Sequence, residues 1–128
     1  MQLFLDKTNY TIAKFSPSFQ VPTWFQTNDT EFKSITYTNE ECSIIMPTKH
    51  LDTTAALSVE SDWFLLKIDG ILDFSLTGIL HKIATPLAEK EISIFAVSTY
   101  NTDYILMKQS KLEAAITALK QAGHKILE

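Results

Sequence analysis

The order of apolar patterns in the second half of the chain restricts the fold more than any other feature of the sequence. Residues 63–68, 92–99 and 103–108 are short apolar runs that predict strands. After the first run, apolar residues recur three and four positions apart, as on one face of a helix: Leu76, Ile79, Leu80, Ile83 and Leu87. Pro86 falls inside this pattern and predicts a kink or the last turn of the helix, because proline lacks a backbone donor.

A second helical pattern follows the third strand and completes the order of elements. Residues 110–113 have the pattern of a capping box that starts this helix, and Gly123 stands where a helix end favours a residue with positive φ. Residues 124–127 then predict a last short strand. The order strand, helix, strand, strand, helix, strand predicts an α+β fold, a ferredoxin-like βαββαβ sandwich with antiparallel pairing and helices on one face.

The first half has weaker patterns. Residues 2–15 predict two short extended pieces, separated by a turn at residues 6–9. Pro22 predicts the start of a short helix, which carries the aromatic pair at 24–25 into a core. Residues 48–62 predict a connecting segment with one helical turn.

A hairpin in the first half indicates an internal repeat. Residues 32–38 and 42–46 alternate as paired strands, and their sequence echoes the hairpin around residues 99–107. We therefore expect two copies of one supersecondary unit, with a domain at 1–60 and a second domain at 61–128.

Composition excludes several classes of protein. The chain has 45% apolar and 20% charged residues with a net charge of −4, which is typical of a folded globular protein. All eleven basic residues are lysine, and the acidic balance argues against nucleic-acid binding. No apolar run approaches the roughly 20 residues of a membrane helix, and we find no signal-peptide pattern. With a single cysteine, Cys42, the sequence predicts a cytoplasmic protein that binds no membrane.

Residues 67–80 connect the first strand of the second half to its helix and have the outline of a small-ligand loop. Asp69 and Gly70 predict a sharp turn, and a polar helix start is expected from Asp73 to Ser75. The unpaired amides of a helix start favour a carboxylate or another anion. The alternative is an ordinary tight connection between a strand and a helix.

The second half resembles the ACT domain, a small regulatory module that binds amino acids, and most closely the stand-alone tandem ACT-like proteins of bacteria. The residues that carry the resemblance are 70–80, 86–89, 92–100 and 102–106. The Ser-Thr-Tyr-x-Thr-Asp pattern within them is also similar to the arginine-sensing CASTOR proteins and to the regulatory region of aspartate kinases. Residues 32–47 are similar to a degenerate first copy. The resemblance implies tandem ferredoxin-like ACT-type sandwiches, of which the first is degenerate.

The resemblance also implies a ligand site between two copies. One copy supplies the loop after its first strand, and a neighbouring copy supplies the end of its second strand. The matching positions here are Gly70, Ile71, Leu72, Asp73, Phe74, Ser75, Ser98, Thr99, Tyr100 and Asp103. Loop amides would face the ligand carboxylate, Asp73 or Asp103 would accept from its ammonium group, and Tyr100 would pack on its side chain.

Each of these roles has a structural alternative. Asp73 and Ser75 also suit helix caps, Asp103 also suits closure of the hairpin turn, and Tyr100 also suits a core position. Leu76 departs from the CASTOR pattern, which has an acidic residue in this part of its binding copies, so a basic ligand such as arginine is disfavoured. The first half lacks a glycine-bearing loop after its first strand. A homodimer, or a pocket between the two halves, would therefore complete the site.

Three functions compete at this point. The loop and the hairpin favour a non-enzymatic protein that binds an amino acid. The alternative is a ligand-free interaction module that regulates another enzyme, since the strand from Ile92 is apolar on both faces. An enzyme would need Cys42 with His50, or His81 with nearby acids, but the cysteine begins an apolar strand and the histidines lack metal-ligand spacing. We therefore expect no catalysis, no metal and no cofactor.

Overall fold

A computed structural model describes residues 1–70 and 78–128 of the chain. These residues form two compact units, which we call the C-terminal unit (Met1–Lys7 with Trp63–Glu128) and the N-terminal unit (Thr8–Asp62). The expected limits, 1–60 and 61–128, differ from this division chiefly in the first seven residues, which belong with the C-terminal unit.

The described elements alternate between strands and short helices. In chain order they are β1 (Gln2–Phe15), α1 (Thr23–Thr27), β2 (Ser34–Tyr37), β3 (Cys42–Pro47), β4 (Ser58–Ile68), α2 (Ile79–Glu89), β5 (Ile94–Ser98), β6 (Asp103–Lys108), α3 (Leu112–Gln121) and β7 (Lys125–Leu127). Single turns of 3₁₀ helix at Thr48–His50 and Gln109–Lys111 follow β3 and β6. No helix of the described residues is long and apolar enough to cross a membrane.

Strand β1 is one continuous strand, so the predicted turn at residues 6–9 is wrong. Gln2 to Phe4 pair with β7, and Tyr10 to Phe15 pair with β3. The polar side chains from Lys7 to Asn9 are exposed. Exposed polar residues are compatible with an extended backbone. Pairing of β1 with β3 and β7, which are distant in sequence, overrides the local preference for a turn.

The C-terminal unit has the predicted order of strands and helices. Its strands lie in the order β5-β6-β4-β1-β7, with antiparallel pairing of β4 and β5 to β6 and parallel pairing of β1 to β7. Helices α2 and α3 pack on one apolar core with the sheet. The buried members of this core are Leu3, Leu5, Leu66, Ile68, Ile83, Leu87, Ile92, Ile105, Met107, Ala115 and Leu119. The first residues of β1 are thus an addition to the ferredoxin-like pattern, inserted beside β4.

The helix starts differ from the sequence expectations. Helix α2 begins at Ile79, after Gly78 in the left-handed region with φ 73°. The start expected at Asp73 to Ser75 lies outside the described residues. The predicted capping box of α3 is wrong: Ser110 lies in the 3₁₀ turn, Lys111 is the N-cap, and no side chain caps this helix. The turn moves the helix start two residues beyond Ser110, out of reach of a capping-box bond.

Both helices end in the same backbone motif. After α3, the N–H groups of Gly123 and His124 donate to the carbonyls of Lys120 and Leu119, each at 3.0 Å. After α2, Glu91 and Ile92 make the equivalent bonds at 2.9 Å. The left-handed position is Gly123 with φ 94° in α3, as predicted, but Glu91 with φ 57° in α2. A side chain at this position is strained, so Glu91 is a local weakness.

Substitutions at the two left-handed positions, Glu91 and Gly123, should change stability in opposite directions. Glu91→Gly relieves the left-handed strain and is expected to raise the melting temperature by about 2–5 °C. Gly123→Ala introduces the same strain and should lower it by a similar amount, since no heavy atom lies within 4 Å of the added Cβ. Differential scanning calorimetry measures the melting temperature of both variants. A lower melting temperature for Glu91→Gly would contradict the strain argument.

The N-terminal unit contains the predicted hairpin and the predicted aromatic core. Strands β2 and β3 pair antiparallel, β3 pairs antiparallel with β1, and the order in this unit is β2-β3-β1-β4. Helix α1 follows Pro22 and buries Phe25, while Phe15 and Phe19 stack with their ring centroids 4.3 Å apart. One short helix and one 3₁₀ turn accompany four strands whose order is that of a ferredoxin-like sheet.

Candidate functional site

The hairpin between β5 and β6 forms a tight, hydrogen-bonded turn. The N–H and the hydroxyl group of Thr99 donate to the carbonyl oxygen of Thr102, at 2.9 and 3.0 Å. Ser98 and Asp103 form the last pair of the two strands, and the Ser98 hydroxyl donates to Oδ1 of Asp103 at 2.6 Å. The Asp103 carboxylate therefore closes the hairpin, as its structural alternative predicted.

Thr102 links this hairpin to the loop that follows β4. Its hydroxyl group donates to the carbonyl oxygen of Ile68 at 2.9 Å, and the residue is only 3% exposed. Ile68 is the last residue of β4, two positions before Gly70. The structure thus brings the predicted hairpin residues next to the start of the predicted loop.

Ser98 and Asp103 lie on the helix side of the sheet. Side chains alternate along a strand, so Asp103 shares a face with Ile105 and Met107, which belong to the core beneath α2 and α3. Ser98 is paired with Asp103 and shares this face. Their polar groups stand where the sheet ends and the loop to α2 leaves it.

Gly70 has a conformational role at the start of the loop. Its φ of 91° is a left-handed value that other residues adopt at a cost. A Cβ atom would meet no heavy atom within 4 Å, so the need for glycine comes from the backbone and not from crowding. Five predicted ligand residues lie outside the described residues: Ile71, Leu72, Asp73, Phe74 and Ser75.

Tyr100 stands at the tip of the hairpin. It is 79% exposed, so the alternative that it belongs to the core is wrong. The tip lies in the turn between the two paired strands, outside the sheet. An exposed aromatic ring can pack on an apolar ligand group.

The start of α2 lies within the predicted ligand-loop region, residues 67–80. Gly78 at the N-cap has no side chain to accept from the first amides, and the first turn of α2 contains no acidic residue. The partial positive charge of the helix start is therefore not balanced within the helix itself. The chain contains no arginine, so a carboxylate here depends on backbone amides or lysine.

Sequence reasoning missed Thr102 as a site residue. Its signal was present in the Ser-Thr-Tyr-x-Thr-Asp pattern, where a threonine directly precedes the acidic first residue of a strand. The sequence around Thr102 does not identify the acceptor of its hydroxyl group, because Ile68 is far away in sequence and contributes only its backbone carbonyl.

Two of the residues considered for catalysis, Cys42 and His81, lie in different surroundings. Cys42 is fully buried, and burial raises the pKa of its thiol, which disfavours the reactive thiolate. His81 is exposed and lies 3.3 Å from the hydroxyl of Thr85 through Nδ1. Within residues 1–70 and 78–128, no three histidine, cysteine or acidic side chains are grouped as metal ligands.

The chain belongs to the ACT domain family. The family model matches residues 58–121, half of the chain, and this range contains both parts of the candidate site. Over 100 residues the chain is 30% identical to the human cytosolic arginine sensor for mTORC1 subunit 1. The match covers 71% of this chain and 30% of that protein, so the chain spans about a third of the relative's length.

Two solved structures have the same architecture. A protein from Agobacterium tumefaciens is 32% identical, with a TM-score of 0.88, and the match covers 98% of this chain and 91% of that one. The ligand-free regulatory subunit of aspartate kinase from Thermus thermophilus is 14% identical, with a TM-score of 0.66, and the match covers 94% and 97%. The second likeness concerns the fold alone. The family assignment therefore rests on the ACT model and on the match to the arginine sensor.

Removal of the Thr102 hydroxyl should loosen the hairpin. Thr102→Val keeps the shape of the side chain but leaves the Ile68 carbonyl without this donor, and we expect a loss of about 1–2 kcal/mol of stability. Faster amide hydrogen exchange should accompany it in residues 98–103. Thr102→Ser keeps the hydroxyl and is the matched control. Equal exchange rates in both variants would show that the bond does not hold the hairpin.

Proposed function

We propose that this protein is a non-enzymatic, cytoplasmic regulatory protein that binds an amino acid between the loop after β4 and the β5–β6 hairpin. The observation that carries the proposal is the buried hydrogen bond from Thr102 to Ile68, which joins the two elements. The arginine sensor among its relatives supports an amino acid as the ligand class.

The ligand groups have complementary partners in this arrangement. Backbone amides from Gly70 to Ser75 receive the carboxylate, and Asp73 or Asp103 accepts from the ammonium group. Thr99 and Ser98 fix the hairpin around Asp103, and Tyr100 covers the ligand side chain. With Leu76 in place of an acidic residue, the proposal favours an uncharged side chain over that of arginine.

A ligand screen tests the proposal directly. A ligand that binds only the folded state raises the melting temperature as its concentration rises. We expect one or a few of the twenty amino acids to do so at millimolar concentration, with calorimetry as the independent measurement. If none of the twenty amino acids shifts the melting temperature and none gives a heat of binding, the proposal is overturned.

Two variants should abolish binding without unfolding the protein. Asp103→Ala removes the proposed acceptor, and Gly70→Val strains the loop, so each should weaken affinity at least tenfold. Asp29→Ala, at an exposed carboxylate of the N-terminal unit, and Gly123→Val, at another left-handed glycine, are matched controls that should keep the affinity. If Gly123→Val weakens binding as much as Gly70→Val, general destabilisation and not the loop explains the loss.

We also propose that the N-terminal unit is a degenerate ACT copy, so that two domains near 1–60 and 61–128 form the chain. Its strand order β2-β3-β1-β4, with one helix between its first two strands, supports this reading. The 3₁₀ turn at Thr48–His50 stands where a complete copy has its second helix.

A homodimer would complete the site. Within the described residues, β5 pairs only with β6 and forms the edge of its sheet. The strand carries no charge and no proline, the features that usually protect an edge from pairing with another chain. Sedimentation should give a dimer at micromolar concentration, shifted towards monomer by Ala96→Lys on this edge. Ala114→Lys, on the exposed face of α3, should leave it unchanged, and a monomeric wild type would refute the dimer.

A second candidate function is a ligand-free module that binds another enzyme. Exposed apolar side chains around the start of β4 favour it, since Leu57, just before the strand, is 64% exposed and Val59 is 43% exposed. Co-purification of an enzyme in stoichiometric amount, lost on Leu57→Ser with Val59→Ser, together with a negative ligand screen would support this function over the first.

A further inference from the structure

Pro86 leaves one backbone carbonyl of α2 without its usual donor. In an α-helix the N–H of each residue donates to the carbonyl four positions earlier, so Lys82 would accept from residue 86. Proline has no N–H, and its ring crowds the carbonyl at that position. Helix α2 nevertheless continues from Ile79 to Glu89 through Pro86. The Lys82 carbonyl therefore favours a donor from outside the helix.

The imidazole ring of His124 supplies this donor. Its Nε2 atom lies 3.1 Å from the carbonyl oxygen of Lys82, and its Nδ1 atom lies 3.2 Å from the backbone nitrogen of Met1. A carbonyl oxygen can only accept, so Nε2 carries the proton and Nδ1 accepts from Met1. With 8% of its surface exposed, His124 is a buried polar residue whose two ring nitrogens both have partners.

The end of α3 fixes the position of this ring. The backbone N–H of His124 donates to the carbonyl of Leu119, and Gly123 before it adopts the left-handed conformation. The N–H of the next residue, Lys125, donates to the carbonyl of Met1 at 2.8 Å. The ring is therefore held where α2, the end of α3 and the start of β1 meet.

We propose that His124 replaces the hydrogen bond that Pro86 removes from α2, and that the two residues form a clamp that anchors α2 to the starts of β1 and β7. Neither residue serves this purpose alone. Pro86 without the imidazole leaves a carbonyl unsatisfied, and His124 without the proline duplicates an ordinary helix bond. The clamp holds the helix whose first residues follow the β4 loop, although the inference does not depend on ligand binding.

A double-mutant cycle tests the coupling. His124→Leu removes both ring nitrogens at similar size, and it should lower the melting temperature by about 3–6 °C in the presence of Pro86. In the Pro86→Ala background, where residue 86 can donate to Lys82, the same change should cost less than half as much. Equal losses in the two backgrounds would overturn the clamp.

A conservative variant separates the hydrogen bond from packing. His124→Gln places an amide donor near the position of Nε2, so it should recover at least half of the stability that His124→Leu loses. No recovery would mean that the ring acts through its shape and not as a donor.

The tautomer of His124 gives an independent test in the unaltered protein. Long-range ¹H–¹⁵N correlation spectra distinguish a proton on Nε2 from one on Nδ1. We expect His124 to carry its proton on Nε2 at neutral pH. A proton on Nδ1 would contradict donation to Lys82, whatever the stability of the variants.

Discussion

The C-terminal unit depends on the burial of one apolar core that segments from both ends of the sequence must fill together. Strands β4 and β6 and helices α2 and α3 supply most of it, but Leu3 and Leu5 of β1 are also fully or almost fully buried there. Burial of apolar surface is the main favourable contribution to folding. The first residues of the chain are therefore part of this unit, and their place between β4 and β7 follows from the apolar surface they complete.

Around this core, two side chains donate hydrogen bonds to backbone carbonyls where a strand ends or a helix contains proline. Thr102 donates to Ile68 where β4 ends, and His124 donates to Lys82 where Pro86 interrupts the helix pattern. Unpaired polar groups are costly when buried, so each bond stabilises one particular arrangement of two segments. The same requirement that makes the fold specific also places the hairpin beside the end of β4.

Local patterns predicted much of this fold. The period of apolar residues predicted α2, and the glycine at position 123 predicted the end of α3. Both signals depend on residues only a few positions apart in the sequence. The same local reasoning failed at β1 and at Ser110. In β1, strand pairing overrode a turn signal, and at Ser110 a 3₁₀ turn displaced the capping box.

The sequence by itself determined the order of elements in the second half and the ACT family, and it predicted the hairpin residues of the candidate site. Those properties depend on the period of apolar side chains and on a short continuous motif. Only the tertiary structure decided that β1 joins the C-terminal unit, that Tyr100 is exposed, and that Thr102 and His124 bond to backbone carbonyls far away in sequence. Every residue has the same backbone carbonyl, so the sequence alone does not identify the residue that accepts such a bond.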